Sequence, residues 1–106
     1  MFALDVLEFC RKLPGTREAQ EAAAQLRRAA NSVRANYRAA RRGRSRAEFR
    51  SRLAIVFEEA DECADCLTYF RDARIRHDPV LLQEAQELTR IFAKALRSAR
   101  DNPGDK

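Results

Sequence analysis

Glycine and proline are scarce in this chain of 106 residues, three of each, and tryptophan is absent. Hairpins and tight turns need that punctuation, which argues against an all-β or α/β fold. Long apolar runs are missing too. None approaches the roughly 18 residues of a membrane-crossing helix, and Asp5, Glu8 and Arg11 interrupt the apolar N-terminus, which argues against a signal peptide. A cytoplasmic location and no membrane partner are the expectation. Cysteines number three, an odd count without an export signal, so reduced thiols are expected rather than a disulfide framework. At 12.2 kDa the chain has room for one core, which excludes a multi-domain enzyme.

Charge is abundant. Lys and Arg total 21 against 16 Asp and Glu, a net of +5 with a pI near 9.6. Its distribution is uneven. Between Arg27 and Arg52 stand ten arginines and one acid, a local net of +9, while the remainder carries −4. Such a block suits an anionic partner.

Apolar periodicity predicts four helices. Phe2, Val6, Phe9 and Leu13 share one face of a short first helix that ends at Pro14-Gly15. Thr16 caps a second, with a seam of Ala19, Ala22, Leu26, Ala29, Val33, Tyr37 and Ala40, stopped by Gly43. Ser45-Arg46-Ala47-Glu48 reads as a capping box, in which Glu48 reaches back to the Ser45 N–H. The third helix follows with Phe49, Leu53, Val56, Ala60, Cys63, Leu67 and Phe70 in unbroken heptad spacing. Asp78-Pro79 opens a fourth, with Leu81, Ala85, Leu88, Phe92, Ala95 and Ala99 inward. Short loops between them favour an antiparallel up-down-up-down four-helix bundle over residues 1–100, with 101–106 as a disordered tail. Leu4, Leu7, Ile55, Phe57, Leu82, Ile91 and Leu96 lie beside the seams. They either widen the core or form a second apolar face for another subunit.

Chemistry-bearing residues fall into four groups. Arg27, Arg28, Arg34, Arg38, Arg41, Arg42, Arg44, Arg46 and Arg50 are the nucleic-acid candidates, because guanidinium groups bind phosphate bidentately. A merely solvated basic face is the alternative. No helix-turn-helix, zinc-finger or stacking-aromatic pattern indicates base reading. Glu58, Glu59, Asp61, Glu62 and Asp65 lack the Glu-x-x-His partners of a di-iron site, so pairing with second-helix arginines is expected and no metal. Cys63-Ala64-Asp65-Cys66 sits inside a helix without a second ligand pair, which predicts structural thiols. Gln25, Ser32 and Asn36, with Glu59, are structural polar candidates that bond across the bundle. No nucleophile, base and orienting group can be assembled around Ser32, so no enzyme and no cofactor are expected.

The run Gln25 to Asn36, then Arg44-Ser45-Arg46-Ala47-Glu48-Phe49, then Glu58-Glu59-Ala60-Asp61-Glu62, resembles the four-helix-bundle family encoded in 23S rRNA intervening sequences. The resemblance spans about residues 4 to 98. It departs after Asn36, where Tyr37-Arg38-Ala39-Ala40 replaces an Ile-Ala-Glu-Gly pattern. What it implies is a bacterial protein that assembles as a homopentamer. A related group, the accessory variability proteins of diversity-generating retroelements, further implies nucleic acid, RNA or DNA, and a reverse transcriptase as partners. The expectation is therefore an oligomeric backbone binder. Its alternative is an interaction module whose arginines pair with acidic faces of neighbouring subunits.

Overall fold

The computed structural model describes residues 1–101 of the chain. Among these stand four helices and no strand: α1 (Phe2–Arg11), α2 (Arg17–Arg41), α3 (Arg46–Asp72) and α4 (Pro79–Asp101). They form the expected four-helix bundle, 50 × 20 × 19 Å in extent. Asp101, expected to begin the tail, instead closes α4. The rest of the expected tail lies outside the described residues.

Local chemistry sets the boundaries. The Ala19 N–H donates to Thr16 Oγ1 at 3.3 Å, and the Leu81 N–H donates to Asp78 Oδ1 at 3.0 Å just past Pro79. Both caps satisfy an amide that has no partner inside its helix. At α3 the Glu48 N–H donates to Ser45 Oγ at 3.1 Å, as the capping box predicts. Its return arm differs: Glu48 Oε1 accepts from the Arg44 N–H at 3.1 Å, one residue earlier than expected. The carboxylate so pins the basic turn to the first turn of α3. Gly43 does end α2, but without a left-handed backbone. A side chain there would place Cβ 3.2 Å from the Ala40 carbonyl oxygen and 3.4 Å from the Phe49 nitrogen, so close packing of the turn explains the glycine.

The core is one continuous cluster. Leu53, Val56, Ala60, Cys63, Leu67 and Phe70 are all buried, the α3 seam as predicted, with Phe49 half-buried at its start. Small buried residues of α2 (Ala19, Ala23, Ala29, Ala30) let the neighbouring helices approach closely. Phe9 meets Phe70 edge to face at 5.3 Å, which ties α1 to α3. Leu82 and Leu96 join the core, and Leu7, Ile55 and Phe57 are half-buried, so most of the flanking residues widen the stripe.

Helix length breaks the symmetry. α2 packs on α3 and α3 on α4, yet no Cα of α2 comes within 8 Å of α4. Only α1 spans those two, and its 10 residues reach about 15 Å where the 25 residues of α2 reach about 37 Å. Beyond α1 the backbones of α2 and α4 stay apart, bridged by the Tyr37 and Phe92 rings, whose centroids lie 5.8 Å apart. Tyr37, expected in the seam, is 44% exposed there, and Ile91 is 50% exposed.

Candidate nucleic-acid interface

The nine candidate arginines divide by their neighbours. Arg34, Arg38, Arg41, Arg42 and Arg44 are exposed and gather around the C-terminal end of α2 and the turn that follows. Arg38, Arg42 and Arg44 line an open cleft of about 430 Å³ with Ala35, Ala39 and Glu48. The two alanines leave its floor low, so a phosphate can approach the helix backbone while three guanidinium groups surround it. Among the described residues, no carboxylate forms an ion pair with Arg34, Arg38, Arg42 or Arg44. Glu48 lines the cleft but its carboxylate is held by the Arg44 backbone N–H. Arg41 lies over the Tyr37 ring, 5.8 Å from the centroid.

Other arginines are engaged elsewhere. Arg28 donates to both Glu59 oxygens at 3.1 and 3.2 Å and to Glu62 Oε2 at 2.7 Å, a fork that joins α2 to α3. Its hydrogen bonds to Glu59, then to Glu62, hold its guanidinium protonated well beyond the ordinary arginine range. Gln25 Oε1 accepts from Arg28 Nε at 3.5 Å at the edge of that network. Arg27 is half-buried beside α1, where it faces the Cys10 thiol. Arg46 and Arg50 are half-buried in the first turns of α3.

Of the structural polar candidates, Asn36 and Glu59 bridge α2 and α3, whereas the bonds of Gln25 and Ser32 stay within α2. Asn36 Nδ2 donates to Ser32 at its carbonyl oxygen (3.0 Å) and its Oγ (3.1 Å), and Asn36 Oδ1 accepts from Arg52 at 3.1 Å. With Arg28 and Glu59 this makes two polar clasps along the α2–α3 seam. Arg52 was not among the candidates. Its place opposite Asn36 depends on how α2 and α3 slide against each other, which periodicity does not record.

Thiols are structural in their surroundings. Cys10 Sγ donates weakly to the Ala23 carbonyl at 3.9 Å. Burial pushes the Cys63 thiol up to about 12 and Cys66 to about 11, so neither is a ready thiolate. His77 is exposed ahead of α4. Glu58, Asp61 and Asp65 point to solvent, and among the described residues no group of three or more His, Cys, Asp or Glu is placed to hold a metal ion. Among the described residues no helix is long and apolar enough to cross a membrane.

Fold and surface together define a small four-helix-bundle protein with a strongly basic helix end. The chain belongs to the 23S rRNA-intervening sequence proteins, whose family model matches residues 1–97, through α1, α2, α3 and most of α4. No curated protein and no solved structure matches it.

Proposed function

We propose that the protein binds the phosphate backbone of nucleic acid through the arginine cleft at the end of α2. The observation that carries this reading is the set of Arg38, Arg42 and Arg44 around an alanine floor, without carboxylate partners among the described residues. Unpaired guanidinium groups held close together repel one another, and a bound polyanion relieves that repulsion. Base reading has no support from side chains in the cleft, so contact is independent of sequence. A homo-oligomer, pentameric as the resemblance implies, would repeat the cleft and raise avidity. A reverse transcriptase or another nucleic-acid enzyme is the matching partner class.

Pairing of these arginines with acids of a neighbouring copy is the second reading. Exposed Glu58, Asp61 and Asp65 on α3 favour it. One experiment separates the two: labelled RNA and DNA are titrated with the intact chain and with the Arg38→Gln, Arg42→Gln, Arg44→Gln variant, and both are sized by sedimentation. Backbone binding predicts that the variant loses affinity at constant size. A smaller assembly, or no binding by the intact chain at low salt, overturns it.

A further inference from the structure

Beyond the N-terminus of α1, the bundle has two walls where lower down it has three. The walls are the later turns of α2 and α4. Phe2, Val33, Tyr37, Leu88, Ile91 and Phe92 line a groove of about 440 Å³ between them. Met1 (72% exposed), Tyr37 and Ile91 leave it open to solvent. Of the side chains on its surface, only Arg34 and Tyr37 carry polar atoms. Its rim is cationic along α2, where Arg34, Arg38 and Arg41 edge it, and mixed along α4, where exposed Glu87 and Lys94 stand one turn to either side of Ile91.

We propose that this groove receives an amphipathic helix of a partner protein, about three turns long, aliphatic on its inner face and carboxylate-bearing along the flank next to α2. The setting argues for a helix, since α1 packs against both α2 and α4 lower down, with Val6 and Phe9 turned inward, and above it the Tyr37–Phe92 ring contact gives the groove an aromatic floor. The charge argues for acids. Arg34 and Arg38 have no carboxylate partner among the described residues.

Two other occupants fit less well. A nucleic-acid base would lose its water in a floor that offers almost no donors or acceptors, leaving its polar edge unsatisfied. A second copy has little apolar surface to offer other than this same groove: of the large exposed apolar residues, Met1, Leu4, Tyr37 and Ile91 lie at or beside it, while Tyr69 and Val80 stand apart. Groove against groove would set arginine rim on arginine rim.

The test uses the full chain and two labelled synthetic helices of about 14 residues. Both carry leucines at alternating spacings of four and three; one has flanking glutamates, the other lysines in their place. The glutamate helix is expected to bind, and the lysine helix at least about tenfold more weakly, the ratio that two charge pairs supply. Ile91→Ser should abolish binding while leaving nucleic-acid affinity unchanged. The Arg34→Glu, Arg41→Glu double variant should reverse the preference in favour of the lysine helix. The Arg42→Gln, Arg44→Gln variant, which leaves the groove's rim intact, should keep the helix bound while weakening nucleic-acid binding, so the two proposals fail separately. Equal binding of both helices, no binding of the glutamate helix, or an unchanged affinity in Ile91→Ser overturns the inference. So does dissociation of an oligomer by Ile91→Ser, which would assign the groove to a second copy, and competition for it by single-stranded oligonucleotide.

Discussion

Arg74 is the one non-glycine residue with a positive φ, 59°, among those described. It stands just past α3, where the Ile75 N–H donates to the Phe70 carbonyl and the Arg74 N–H to the Arg71 carbonyl, both at 3.0 Å. That is the Schellman pattern, which glycine usually serves. A left-handed L-residue costs about 1–2 kcal/mol, part of which glycine returns through its freer unfolded chain. Arg74→Gly is therefore expected to stabilise the fold by about 0.5–1 kcal/mol, read as a higher urea midpoint at unchanged slope. A lower midpoint would give the arginine side chain a structural role. Cys63 makes a second prediction. Its thiol titrates near 9.0 when unfolded and about 12 in the fold, because burial disfavours the thiolate. Above the first value the unfolded chain releases a proton that the folded chain keeps, so stability is full below it and falls as pH rises between the two. Cys63→Ala should lose less stability than the parent between about pH 8 and pH 11. Equal alkaline losses would contradict the burial.

At the scale of elements, the Arg28 fork and the Arg38–Arg44 cleft give one helix two roles. Arg28 already satisfies Glu59, whose side chain is 18% exposed, so it holds α2 to α3. Arg28→Gln should destabilise the bundle by about 1 kcal/mol and leave nucleic-acid affinity within about twofold. Thermal unfolding and the same titration check both halves. A large loss of affinity with intact stability would move Arg28 into the interface. The α3 seam was legible residue by residue, because Leu53 to Phe70 keep a strict heptad spacing and face helices on both sides. Caps at Thr16, Ser45 and Asp78 were legible as well, since each is a local bond. Which arginine meets which acid was not. Arg28 and Arg34 are both exposed cations of α2, and the lateral register that sets one opposite Glu59 and leaves the other open is a property of two helices. Tyr37 failed for a related reason. Its seam spacing was right, but burial there needs a fourth wall, and α1 stops before it.

Across the whole molecule, the net charge of +5 separates into a +9 block and a −4 remainder. The fold sharpens that division, because Arg28 and Arg52 are drawn into the α2–α3 seam while five arginines from Arg34 to Arg44 stay exposed at one end. The charged end and the groove meet there, the one proposed for a polyanion and the other for an acidic helix. Fold class and family were within reach of the sequence because both rest on local spacing and residue type. The cleft was legible only as a block of arginines, since its alanine floor, and the absence of an ion pair to Arg38, Arg42 or Arg44 among the described residues, arise from packing. The central claim is phosphate binding by Arg38, Arg42 and Arg44, and the salt dependence of affinity tests it most directly. For the intact chain on duplex DNA, log affinity is expected to fall linearly with log salt, and the three-glutamine variant should show a slope shallower by about 3. Equal slopes for the two proteins, or an affinity indifferent to salt, would contradict the account.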